Sequence, residues 1–442
     1  MRIRHFFLFA GAAIAAASLF ASCDPQDKIE GQEEQEQEQE QNQESRIELK
    51  EGTIREHSFS RGEQWRLFLE LSDDESQLFQ KSDSFSIKLF KKVSESKGEE
   101  NFCISPLSLQ VTLGMVANAL VEESYAELSE ALFGEYVDKS LLNSSYGRLK
   151  SALEETNCMK LSNAIWMQEG ISYKENFLEG ARNYCEPGFL DFRSDMQASY
   201  DSICQWAYDN TYGKLRELDL GDLNEAPTFV MTNATWFSSA WAYPFFADST
   251  KDGEFKLADG RTQTVKMMKA KSGNDIYAYC NTSLDKYMVV SLLLNKDSFR
   301  MDMFVPKGDQ TIDSIIGDID WSVPYASTRK INLSMPRFSI NTDIRLRSVL
   351  GKLGMTGVFA RTLDMANITN TNAFQLAYVN QDLKIDVMEK GVEAAVATSA
   401  VGTWSLSMPI NVTIDRPFIF AIRDNVSDSF MFMGRVNSIN QN

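Results

Sequence analysis

From Gly391 the chain reads Gly-Val-Glu-Ala-Ala-Val-Ala-Thr-Ser-Ala-Val. No other run constrains the possible folds as strongly. Taken in twos, Val392, Ala394, Val396, Thr398 and Ala400 share one face of an extended chain, because side chains alternate along a strand. All five are small or β-branched, and none is charged. The opposite face carries Glu393, Ala395, Ala397, Ser399 and Val401. Such a segment can become a central strand with its inner face buried. The next stretch, Gly402 to Pro409 (GTWSLSMP), reads as an exposed loop tip. A strand-competent segment that ends in a loop points to a moving part. Locally the alanines serve a helix equally well, since Ala has the best helix propensity, so the choice rests on the rest of the chain.

At the other end, Arg2 and Arg4 precede an apolar run from Phe6 to Phe20, too short for an ordinary membrane span. It closes in Leu19-Phe20-Ala21-Ser22-Cys23, which looks like a bacterial lipobox with Phe where Leu is usual. The expectation is a lipoprotein signal peptide over 1–22 and lipid on Cys23; secretion with Cys23 unmodified is the alternative. Asp24 to Lys28 resembles the surface-export signal of Bacteroidetes lipoproteins. Glu30 to Glu44 has no apolar side chain to bury and repels itself, so 23–46 is expected to be a solvated tether. Residues 47–81 read as an N-terminal extension.

Across 442 residues, 43% hydrophobic, there is ample material for a large core. The net charge of −18 excludes a nucleic-acid partner in this reading, because phosphate neutralisation needs a basic face. After Cys23, five cysteines remain: Cys103, Cys158, Cys185, Cys204 and Cys280. None forms a C-x-x-C, so no metal or redox site is expected, and buried free thiols are favoured over a disulfide. Both histidines, His5 and His57, precede residue 82. Ser-His-Asp or Cys-His chemistry needs an imidazole to take the nucleophile's proton. No enzyme is expected, and no cofactor.

Several motifs then fall in one order. They are Asn101-Phe102-Cys103-Ile104-Ser105-Pro106-Leu107-Ser108, Leu161 to Trp166, Thr228 to Phe245, Val265-Lys266-Met267-Met268, Met335-Pro336-Arg337-Phe338, Leu346 to Phe359, Asp415-Arg416-Pro417-Phe418, and Phe432 to Val436. Together they resemble the serpin family over roughly residues 82 to 440, which implies a strand at Met335 to Phe338 and a helix over Leu346 to Phe359. The resemblance implies an α+β serpin fold: three β-sheets, about eight to nine helices and an exposed reactive-centre loop, with the domain at 82–442.

The functional implication of the resemblance is specific. An inhibitory serpin offers its loop as a protease substrate, and the cleaved loop inserts into the main sheet and traps the acyl-enzyme. The hinge maps to Glu389, Gly391, Val392, Ala394, Ala395, Val396, Ala397 and Thr398. Val392 stands where the family usually has Thr or Ser. Ser105, Ser108 and Asn233 are expected beneath the opening strands, with Trp241 at the top. Gln381 takes the place of the family's histidine in that cluster, an amide that bonds like an imidazole but does not titrate. Counting forward from Glu389 places the scissile carbonyl on Ser405; counting back from Pro417 places it on Leu406; Trp404 is a third candidate. All are neutral, which suits elastase-like, chymotrypsin-like or subtilisin-like targets and not a trypsin-like pocket.

The expected partners are thus a target serine protease, or a cysteine protease, and a membrane reached through the lipid. The Val121 to Lys150 region is more acidic than basic, so no heparin site is expected. A monomer anchored to the bacterial outer membrane, at the surface or in the periplasm, completes the reading. The alternative is a non-inhibitory serpin, a surface binding or structural lipoprotein whose inward hinge face would tend to carry prolines or charges; this one carries neither.

Overall fold

The structure is a computed structural model. It describes residues 69–440 except 186, 216, 219–228, 271–275, 324–327, 361–366, 370–378 and 393–407. The tether, Cys23 and most of the loop therefore lie outside the described residues.

The helices are α1 (Asp73–Lys97), α2 (Pro106–Ala119), α3 (Glu122–Phe133), α4 (Lys139–Glu155), α5 (Glu175–Ala181), α6 (Met196–Asn210), α7 (Ile312–Ile315), α8 (Arg347–Lys352) and α9 (Gly357–Ala360). The first half of the chain contributes strands β1 (Phe102–Ile104), β2 (Met159–Gln168), β3 (Gly188–Leu190), β4 (Phe229–Phe237), β5 (Ser239–Ala240), β6 (Lys251–Lys256), β7 (Thr262–Lys269) and β8 (Ile276–Asn281). The second contributes β9 (Tyr287–Leu294), β10 (Phe299–Pro306), β11 (Arg329–Pro336), β12 (Phe338–Arg345), β13 (Asn380–Met388), β14 (Gly391–Val392), β15 (Ile410–Thr413), β16 (Phe418–Asp424) and β17 (Phe430–Val436).

Three hydrogen-bonded sheets result. The largest has ten strands in the order β1-β17-β16-β10-β9-β8-β11-β7-β6, with β15 pairing parallel to β11. Its strands β10, β16 and β17 are buried throughout, with Arg300, Asp302, Arg423, Asp424 and Arg435 enclosed among their apolar residues. The other two sheets are β12-β13-β14-β5 and β3-β2-β4. They are neighbours, because β4 passes into β5 through Ser238, whose N–H donates to the Cys158 carbonyl. β4 also runs beside β13. Among the described residues, however, no hydrogen-bonded ladder joins β4 to β13.

Helix α2 sits beneath these strands. It is apolar almost all round, and nearly every residue is buried, as befits a helix wrapped by core on every side. Ser105 caps it and Pro106 occupies its first turn, where a missing N–H costs nothing. Helix α1 starts on a capping box between Ser72 and Glu75 and buries Leu78, Phe79 and Phe85. It thus runs through the expected boundary at residues 81 and 82.

Two motifs fold differently from their sequence reading. Met335 to Phe338 is not one strand but the junction of β11 and β12, which belong to different sheets. Leu346 to Phe359 is two short helices, parted where Gly354 turns to φ +101°. The five cysteines after residue 69 are free thiols; four are buried and Cys185 is half-buried. No helix among the described residues is long and apolar enough to cross a membrane.

Candidate functional site: the hinge and the strands it faces

Strand β14 is only two residues long, yet it lies between two others. Gly391 pairs with Met388 on β13 and with Ala240 on β5; Val392 pairs with Val387 and with Ser239. Val392 is fully buried. Gly391 has φ +154°, a backbone conformation that favours glycine, and it supplies the turn back from β13. Gly391 and Val392 of the hinge therefore occupy the mouth of the gap between β4 and β13.

Around this mouth the backbone is clamped. The Trp241 indole N–H donates to the Met388 carbonyl at 2.8 Å, and its backbone N–H donates to the Lys390 carbonyl at 2.9 Å. Trp241 is itself 1% exposed and stacks edge-on against Phe245. The Phe245 N–H donates to the Glu389 carbonyl. The Glu389 carboxylate accepts from the Thr250 hydroxyl at 2.6 Å and lies 3.7 Å from the Arg337 guanidinium. Trp241 and Glu389 were both expected from the sequence, and they meet here; Thr250 and Arg337 were not.

Lower in the gap lies a buried polar cluster. The Gln381 side chain accepts from the Ser105 N–H at 2.9 Å and donates to the Ser105 carbonyl at 2.8 Å. Its amide thereby pairs with main chain as another peptide group would. The Ser105 hydroxyl donates to the Met431 carbonyl and accepts from the Ser108 N–H. The Ser108 hydroxyl donates to Asn233 Oδ1 and accepts from the Thr235 hydroxyl at 2.8 Å. The Asn233 amide then donates to Asn163 Oδ1 at 2.7 Å, which also accepts from Thr112. One chain of bonds so ties β13, α2, β4 and β2 together. Buried polar groups demand such partners, since an unmade bond costs about 1–3 kcal/mol.

Ser105, Ser108, Asn233 and Gln381, expected to gather, do gather. Asn163, Thr112 and Thr235 were missed. Asn163 was findable: it shares the inward face of β2 with Leu161 and Ile165, where a lone amide among apolar residues needs a purpose. Ala394, Ala395, Val396, Ala397, Thr398, Trp404, Ser405 and Leu406 lie outside the described residues. Beyond the loop, Met408 is 88% exposed before β15 begins. No group of acidic, His or Cys side chains among the described residues is arranged to hold a metal.

Comparison with known proteins gives the same picture. The family model described as Serpin (serine protease inhibitor) matches residues 80–439. A "Serine protease inhibitor" of Cyanea capillata is 25% identical over 368 residues, covering 80% of this chain and 97% of its own. The leukocyte elastase inhibitor of Sus scrofa is 26% identical over 372 residues, with coverage of 80% and 97%. Human Serpin I2 is 26% identical over 373 residues, covering 81% and 91%. In solved structures, native protease nexin-1 with heparin superposes with a TM-score of 0.71 at 22% identity, over 82% of this chain and all of that one.

Proposed function

The chain belongs to the serpin family of serine protease inhibitors, and on that premise we propose that it traps its target as a suicide substrate. The protease attacks the loop near Ser405 or Leu406 and forms an acyl-enzyme. The freed loop then continues β14 downward between β4 and β13.

The observation that carries this reading is the register of β14. Extended in step from Val392, the chain brings Thr398 opposite Asn233 on one side and Gln381 on the other. That position lies on the inward face, where the polar cluster can accept a hydroxyl. The apolar members Val392, Ala394, Val396 and Ala400 would share the same face, and Val387, Ile385 and Leu383 on β13 are buried there already. Each Val-sized side chain buried contributes about 1.5–3 kcal/mol, and each backbone bond adds about 1 kcal/mol net. Together they supply a driving force on the order of ten kcal/mol.

The loop tip's neutral residues favour elastase-like, chymotrypsin-like or subtilisin-like enzymes over trypsin-like ones, with a cysteine protease as a further class. The inhibitor works as a monomer, held through lipid on Cys23 and a Gln/Glu-rich spacer to a bacterial outer membrane of the Bacteroidetes type. The decisive experiment mixes the protein with pancreatic elastase and with chymotrypsin. An SDS-stable covalent complex is expected, and the mass of the released C-terminal peptide identifies the cut bond. Clean cleavage without complex would favour the non-inhibitory reading, and cleavage only after Lys or Arg would remove the assigned target class. Cys23→Ala should leave the membrane fraction if the anchor is as proposed.

A further inference from the structure

At one end of the large sheet, Arg300 on β10 and Arg423 on β16 stand directly opposite one another. Both are buried, at 0% and 2% exposure. Like charges in that position repel, so carboxylates must compensate. The pairing of β16 with β17 shifts register at Arg423, the second of the two. The Arg423 guanidinium reaches Asp83 on α1 at 2.7 Å and Asp428 in the β16–β17 turn at 2.9 Å, and lies 4.0 Å from the Phe430 ring centroid. Arg300 contacts Asp302 at 3.1 Å, Asn425 at 2.6 Å, and Asp428 as well. Asp424, fully buried, accepts from the Val426 and Ser427 N–H groups and the Ser427 hydroxyl.

The charges do not balance. Two guanidinium groups lie among four carboxyl groups, of which Asp428, with 53% of its side chain exposed, is the most open to water. Asp83 keeps 19% exposure and Asp302 1%, and each has one buried oxygen, Oδ1, with no hydrogen-bond partner. An ionised carboxylate wants donors on both oxygens. Besides the arginines, the groups facing Asp83 are acids: Asp424 and Asp428 from β16 and its turn, and the buried Tyr146 phenol from α4. Asp73 lines the same 390 Å³ cleft that opens beside Asp83.

We propose that this cluster folds around one retained proton, housed on Asp83, so that it latches α1 to the sheet more firmly as the medium turns from alkaline to neutral and below. In support, burial outweighs the pull of Arg423 and pushes the Asp83 carboxyl up to about 7. Burial likewise raises Asp302 and Asp424. The folded state thus binds this proton more tightly than the unfolded chain does. The group's contribution to stability is therefore present in full below the unfolded value of 3.8 and is lost progressively as pH rises from there through about 7.

Asp83→Asn mimics the protonated acid and tests the inference. Urea unfolding of the parent and the variant would be compared from pH 5.5 to pH 8.5. The ratio of their unfolding constants should change about thirtyfold in favour of the Asp83→Asn variant between pH 5.5 and pH 8, with the variant at least as stable as the parent at pH 8. A pH-independent ratio with the variant less stable throughout would mean that Asp83 is an ordinary ionised partner of Arg423, and the proposal would fall. Failure of both Asp83→Asn and Asp83→Ala to fold at pH 8 would reject it equally.

Discussion

Val392→Arg is the sharpest probe of the hinge. Val392 is fully buried between Ser239 and Val387. Arginine there forfeits about 1.5–3 kcal/mol of apolar burial and adds about 3–5 kcal/mol for a buried charge without a partner. A long side chain recovers part of this by reaching toward water. Keeping half of the total leaves about 2–4 kcal/mol. Trapping is a race between insertion of the loop and hydrolysis of the acyl-enzyme. An arginine expelled from β14 must be buried again before the loop can insert, so the penalty falls on the insertion barrier and insertion slows roughly 30- to 900-fold. The race then goes to hydrolysis, and the variant behaves as a substrate. The assay is titration of chymotrypsin or elastase with parent and variant, read as the number of inhibitor molecules consumed per protease silenced and as complex on an SDS gel. The parent should be consumed nearly one for one, and Val392→Arg should be cleaved many times over with no complex. Val392→Thr, which keeps the β-branch, should stay close to the parent. A Val392→Arg protein that traps protease at the parental stoichiometry would refute the hinge reading.

Further expectations concern single contacts. Gln381→Ala leaves the N–H and carbonyl of Ser105 buried without partners, and should cost about 2–5 kcal/mol in urea unfolding. Trp241→Phe removes the indole bond to Met388 and should lower stability by about 1 kcal/mol; an unchanged melting temperature would deny that bond a role. Asp386 is nearly buried on the outer face of β13, bonded to the Ser339 hydroxyl. In the inserted register Glu393 would stand beside it, two like charges opposite each other. Asp386→Ser should therefore raise the fraction of protease trapped, and a lower fraction would overturn that register.

Much of this was legible in the chain because it rests on period and order. The two-residue alternation after Gly391 marks the inward face, and Val392 indeed lies buried between strands. The stretch from Asn101 to Ser108, one of the motifs that carried the resemblance, opens α2, with Ser105 as its cap and Pro106 in its first turn. The rest depended on contacts between residues distant in sequence. Nothing near Arg337 announces Glu389, and nothing near Thr112 announces Asn163. Met335 to Phe338 was misjudged because a strand that crosses between sheets keeps its local pattern. The single helix expected over Leu346 to Phe359 failed at Gly354, whose positive φ ends the turn.

The placement of β14 has a kinetic meaning. Closing a flexible loop has an entropic cost that grows with its length, and a strand joining a sheet must ordinarily find both its place and its register. Here the first rung is already made on both sides, through Gly391 and Val392. A loop entering the sheet would close like a zip fastener whose slider has been set on the track, with no search for a starting tooth and no freedom to engage one notch off. The error such a molecule must avoid is premature running, and the clamp of Trp241, Thr250 and Arg337 around Glu389 is where a brake on that run would act.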